Sequence, residues 1–239
     1  MSSVNKTSSL ILGIALVLGF SSLGWFLSNA AIKYKEYERT VTVKGLAERE
    51  FTADVVIWPI QFTLASNNLQ ALYNDVDANT NTIISFLTKL GIKRADVTIS
   101  APAITDKSAQ QYGGNERAEF RYTAVQTVTV YSDAIDTVRQ VMGQLSELGK
   151  QGIVLTGNNY AAQPEYLFTR LNEVKPQMIE EATRKAREVA EKFAQDSDST
   201  LGKIRKASQG QFSISARDNN NPQIKNVRVV STIEYYLSD

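Results

Sequence analysis

The sequence predicts an α+β protein, with mixed or antiparallel sheets covered by about three amphipathic helices and one transmembrane helix in front of them. Three features point to it. No charged side chain lies between Lys6 and Lys33. Beyond that segment, stretches with every second residue apolar mark strands, because successive strand side chains point to opposite faces. They alternate with segments whose apolar residues recur every three or four positions, the signature of a helix with one buried face.

Residues 10–32 read LILGIALVLGFSSLGWFLSNAAI. At a rise of about 1.5 Å per residue such a run reaches about 35 Å, enough to cross a hydrocarbon core of about 30 Å with some tilt. Ser28 and Ala30 place small residues where a signal peptidase would cut, after Ala30. The length of the run argues against cleavage, since apolar character persists through Trp25, Phe26 and Leu27 whereas a signal h-region spans about 7 to 15 residues. The reading is a short tail over 1–9, an uncleaved anchor in the lipid bilayer over 10–32, and a soluble body over 33–239. Lys33, Lys35, Arg39 and Lys44 outnumber Lys6, and counted alone they would place the amino terminus outside. Glu36, Glu38 and Glu48 dilute that cluster, and an N-terminal apolar segment normally directs export of the chain behind it. The expected topology is therefore single-pass, with the C-terminal body on the exported side.

The body begins with a strand over residues 40–51, where Val41 and Val43 precede Gly45, read as a turn or bulge. A second strand puts Val56, Trp58, Ile60, Phe62 and Leu64 on one face. Pro59 cannot donate to a ladder, so this strand is expected at a sheet edge or bulged. A helix over 69–90 uses Leu69, Leu72, Val76, Ile83, Leu87 and Leu90, and Gly91 stops it. Strand character returns at Val97, Ile99 and Ala101, then at Phe120, Tyr122, Ala124, Val128 and Val130, with Gln126 intruding on the apolar face. A second helix carries Ile135, Val138, Met142, Leu145 and Leu148 up to Gly149. A strand over 153–160 leads to a third helix over 173–195, whose inner face is Ile179, Ala182, Ala186, Val189, Ala190 and Phe193. Its outer face offers opposite charges at i,i+4 spacing, such as Glu180 with Arg184 and Glu188 with Lys192. Two strands close the chain, over 203–216 and 227–237.

Composition excludes much chemistry. The sequence has no histidine and no cysteine. It cannot build a Ser-His-Asp triad, a thiol nucleophile, a CxxC redox pair or a common zinc site. Only Lys6 of the 26 basic residues precedes residue 33, and all 25 acidic residues come after it, so the body is formally neutral and has no charge-based reason to seek nucleic acid. Asp196, Asp198 and Thr200 alternate like calcium ligands but lack the glycine and glutamate of a full loop, and they read as a solvated helix end. Glu48 and Asp54 read as turn caps, and Gln126 as a core polar group within reach of Tyr122. Tyr34, Tyr37, Tyr235 and Tyr236 read as interface or membrane-boundary aromatics. No catalytic, cofactor-binding or metal-ligating residue is assigned, no cofactor is expected, and the protein is read as a non-enzyme.

Four segments in order resemble the SIMPL domain proteins of bacterial envelopes, also called YggE-like. Val41-Thr42-Val43-Lys44-Gly45 with Ala47-Glu48 is similar to the V-x-V-x-G-x-(G/A)-E opening. Ala53-Asp54-Val55 resembles P-D-x-A, with alanine where the family prefers proline. Tyr122 to Val130 is similar to Y-x-A-x-(Q/N)-x-(V/L)-x-V, and Ala182, Ala186, Ala190 with Leu201-Gly202 resembles A-x3-A-x3-A followed by L-G. The resemblance implies a periplasmic or membrane-anchored, often oligomeric protein linked to envelope or oxidative-stress defence, with no established reaction. The expectation is a self-associating scaffold, a homo-oligomer; the alternative is a small-ligand receptor or enzyme with an unrecognised carboxylate or lysine site.

Overall fold

A computed structural model describes residues 6–36, 39–109, 119–156 and 162–238. The architecture is α+β with antiparallel sheets, as the periodicities predict. In order the elements are α1 (Lys6–Glu36), β1 (Thr40–Thr52), β2 (Val55–Ser66), α2 (Leu69–Lys89), β3 (Val97–Ile99), β4 (Ala103–Asp106) and β5 (Tyr122–Ser132), then α3 (Ile135–Met142), α4 (Ser146–Lys150), β6 (Glu165–Leu167), α5 (Leu171–Asp196), β7 (Thr200–Gln209), β8 (Ser213–Ala216) and β9 (Ile224–Ser238). The chain divides into two compact units. One comprises Met1–Glu48, Val174–Ser213 and Arg228–Asp239; the other comprises Arg49–Glu173 and Ile214–Val227.

The second unit is built on a five-stranded sheet in the order β3-β5-β2-β6, with β4 also pairing β5. β2 and β5 pair antiparallel along their whole length, from Val56 opposite Ser132 to Ser66 opposite Tyr122. The alternation read in β2 is the real one. Val56, Trp58, Ile60 and Phe62 are buried and cluster with Leu72, Val76, Ile83 and Leu87 of α2 and with Val138 and Val141 of α3. Asn68 starts α2 by accepting the Ala71 amide at 3.0 Å. Gly91 ends it in the left-handed region at φ 96°, where the following Ile92 amide reaches the Leu87 carbonyl.

Pro59 does not lie on an edge strand. β2 is interior, and Pro59 sits opposite Thr129 in an unbroken ladder with β5. The Gln61 carbonyl and the Thr63 amide bond residues 156 and 154 on the flank away from β5, and by alternation the nitrogen of Pro59 faces that same flank. There it falls between β6, which pairs residues 55–57, and the isolated bridge from Phe62 to Leu155. No ladder donor is needed at that point, which is why proline is tolerated inside a sheet.

Two other expectations are corrected, and one element is new. The helix read over 135–148 breaks after Met142 into α3 and α4, with Gly143 as the cap of α3. The strand read over 153–160 reduces to the Phe62–Leu155 bridge, and residues 157–160 lie outside the described residues. β6 carries too short a pattern to be recognised from sequence.

In the first unit the sheet order is β1-β9-β7, and α5 packs on one face of it. Val43, Ile233 and Tyr235 from the sheet meet Ala186 and Ala190 from the helix. Gly45 is not a turn, since β1 runs straight through it. Its role is contact. A Cβ there would run into the Ala182 carbonyl oxygen and lie 2.5 Å from the Ala186 nitrogen, so only glycine lets α5 settle onto the strand. The alanines of α5 do the same from the other side, being buried at 182, 186, 190 and 194. Val189 and Phe193, expected on the inner face, are exposed instead.

Candidate functional site

The clearest functional element is α1. Its span Ser9–Lys35 is long and apolar enough to cross a membrane, and none of its apolar stretch is buried. Apolar side chains cover all sides: Ile11, Leu12, Val17 and Phe20, spread around the helix axis, are each about two-thirds exposed. A helix that buries no face in its own fold and is apolar all round has lipid as its natural solvent. The Ser22 hydroxyl fits that setting, since it donates to the Gly19 carbonyl at 2.9 Å and carries no unmet polar demand into hydrocarbon. Lys33 and Lys35 end the span in its last turn. Tyr34 is exposed beside them, and Tyr37 lies outside the described residues.

The acidic residues of the sequence motifs serve structure. Asp54, in the turn between β1 and β2, accepts the Thr169 amide at 2.8 Å and the Thr169 hydroxyl at 2.7 Å, and meets Arg170 Nε at 3.4 Å. Burial pushes its pKa up, but the Thr169 hydrogen bonds and the Arg170 charge outweigh that and hold it below its ordinary value. Asp54 thus caps a segment, as expected, but one far away in sequence rather than its own turn. Glu48 is exposed in mid-strand, where β1 continues and there is no turn to cap. Asp196 and Asp198 close α5: Asp198 takes φ 52°, and the Ser199 amide returns to the Ala194 carbonyl at 2.8 Å.

Gln126 is buried at 3% exposure opposite Phe62. Its Nε2 donates to the Ser100 carbonyl at 2.7 Å rather than to Tyr122, and its Oε1 has no partner among the described residues. Tyr235 is core, under α5, and burial pushes its pKa up. The pairs on the outer face of α5 are Glu181 with Lys185, Arg184 with Glu188 and Arg187 with Glu191, a different set from the expected Glu180–Arg184 and Glu188–Lys192.

Two ionic clusters are not foreseen from the sequence. Asp106 on β4 is held by Arg121 at 2.9 Å and by the Ser108 hydroxyl at 2.7 Å, and these bonds depress its pKa strongly. In the first unit, on the sheet face turned away from α5, Thr42, Lys206, Ser208, Thr232 and Glu234 line a hollow of about 240 Å³. Glu234 accepts from the Thr40 hydroxyl at 2.9 Å and from Arg205 at 2.8 Å, which with Lys206 hold its pKa down against the effect of burial. The signal was present in outline, since Lys206, Ser208, Thr232 and Glu234 alternate along their strands, but the sequence does not reveal that β7 and β9 pair so as to align them.

The sequence profile of the SIMPL family, described as a protein of unknown function (DUF541), matches residues 41–232. The chain belongs to the SIMPL family. The match starts in β1, after α1, and ends within β9, so the apolar helix α1 lies outside the SIMPL region and both sheets lie largely within it. Comparison with curated proteins returns no match.

Proposed function

We propose that this SIMPL protein is a membrane-anchored, self-associating envelope protein that acts as a non-catalytic scaffold, held in the inner membrane by residues 10–32 with its C-terminal body in the periplasm. The observation that carries the reading is the uncovered apolar helix α1, which buries nothing within its own fold. An anchor confines the bodies to a plane and raises their effective concentration, so a modest interface suffices for assembly. The non-catalytic part draws on the direction of the carboxylate shifts. Asp54, Asp106, Asp218 and Glu234 all move down, as hydrogen-bonded or ion-paired groups do, whereas a general acid at neutral pH needs an upward shift. The link to envelope or oxidative-stress defence rests on the family resemblance alone.

The deciding experiment fractionates membranes with alkaline carbonate and reads a reporter active only outside the cytoplasm, fused after Asp239. Retention in the pellet with an active reporter is expected. Release into the supernatant, a mature terminus at Ala31, or activity of a cytoplasm-only reporter would overturn anchoring or orientation. A second reading, a small-ligand receptor, draws on the hollow lined by Lys206 and Glu234. A ligand protected by Lys206 and lost in Lys206→Ala would favour it over the scaffold.

A further inference from the structure

We infer that the outer strands of the first unit's sheet form a head-to-tail interface between copies of this chain, β7 of one copy lying along β1 of the next so that the neighbour's Val189 and Phe193 cover Ile204. This rests on the self-association proposed above and names the surface it uses.

β9 is the central strand, and β1 and β7 are the two outer ones. An outer strand presents a row of backbone donors and acceptors that only another extended strand can satisfy in full. β7 is exposed along nearly its whole length. Ile204 pairs with Tyr235 and Ala207 with Ile233, whose side chains face α5, so Ile204 and Ala207 point to the helix side of the sheet. They are nevertheless uncovered, and Ile204 is 49% exposed. The cause is the position of α5, which Gly45 draws down over β1 and away from β7.

The opposite flank shows the converse. With Ala186 and Ala190 facing the sheet, the 100° step per residue puts Arg187 and Glu191 on the flank of α5 toward β9 and Val189 and Phe193 on the opposite flank. There, past β1, Val189 and Phe193 are 39% and 55% exposed. The unit therefore has sheet without helix at β7 and helix without sheet beyond β1. Both ledges lie at one height, because Ile204 pairs with Tyr235, Tyr235 packs in one cluster with Ala190, and Val189 and Phe193 occupy the same turns of α5.

Strand direction and charge select the partner. β7 runs antiparallel to β9, and the bond from the Leu237 amide to the Arg39 carbonyl brings the start of β1 against the end of β9, so β1 and β7 run parallel to each other. A second copy placed beside the first continues the sheet with β1 next to β7 and brings its α5 flank over Ile204. Pairing β7 with another β7 about a two-fold axis centred between Ile204 and Arg205 would set Lys203 against Lys206, an unfavourable like-charge pair. The contact inferred is heterologous, a geometry that closes into a ring or runs on as an open filament according to the rotation between copies.

The absence of cysteine allows a direct test. Full-length Ile204→Cys, Phe193→Cys and the double variant are purified in mild detergent, checked for unaltered thermal unfolding, and treated with a short bis-maleimide. Each single variant is expected to stay a monomer on a denaturing gel, an equimolar mixture of the two to give dimers, and the double variant to give a ladder. Cross-linking of a single variant to itself in equal yield, or no product from the mixture while native mass shows an oligomer, overturns this interface and leaves self-association standing. A monomeric wild-type mass overturns both.

Discussion

The two helix–sheet layers of this protein are made of opposite materials. In the second unit, Trp58, Ile60 and Phe62 of β2 fill the space beneath Leu72, Ile83 and Leu87 of α2. In the first, Gly45 of β1 meets Ala182 and Ala186 of α5 so closely that strand and helix backbones touch. Large side chains hold the layers apart and stabilise by the apolar area they bury; small ones stabilise by close approach, with backbone atoms packed against backbone atoms. The large-residue layer should fail when atoms are removed, and the small-residue layer when they are added.

Four measurements put that contrast at risk. Phe62→Ala empties a fully buried site in the large-residue layer and should cost about 4 kcal/mol, read as a lowered urea midpoint with Trp58 fluorescence as the probe. A loss under about 1 kcal/mol would mean the layer collapses around the gap. Gly45→Ala adds one methyl to the small-residue layer and should cost about 3 kcal/mol, because the atoms that must move are helix backbone rather than a flexible side chain. If thermal unfolding of Gly45→Ala matches wild type, close approach is not what holds α5 on β1.

Asp54→Asn should cost about 1 to 2 kcal/mol near neutral pH, by weakening the bonds to Thr169 and removing the attraction of Arg170. The sign with pH comes from its lowered folded-state value. The unfolded chain takes up a proton near 3.8 before the folded chain does, so this contribution is full above about pH 4 and is lost as the pH falls through the depressed value. Unfolding midpoints between about pH 3 and 6 should therefore fall less steeply in Asp54→Asn than in wild type; parallel curves would refute the assignment. The smallest effect belongs to the solvated face of α5. Arg184 and Glu188 meet at 2.7 Å but are 63% and 53% exposed, and Arg184→Ala should change stability by less than about 0.5 kcal/mol in a salt-dependent way.

Elements with a local cause are legible in the chain alone. α1 is legible because an uncharged apolar run needs no partner to be recognised, and the even face of β2 and the end of α2 are legible because alternation and a glycine stop act within a few residues. Whatever depends on distant neighbours was settled by the assembled fold. Gly45 reads as a turn until Ala182 is seen pressing on it, and Pro59 reads as an edge signal until the gap between β6 and Leu155 accounts for its missing donor. Asp54 finds its partner Thr169 at a separation of 115 residues, and Glu234 joins Thr40 and Arg205 only because β9 runs beside β1 and β7. A side chain's periodicity is set by its own backbone, whereas its contacts are set by which strands pair, and strand pairing is a property of the whole chain.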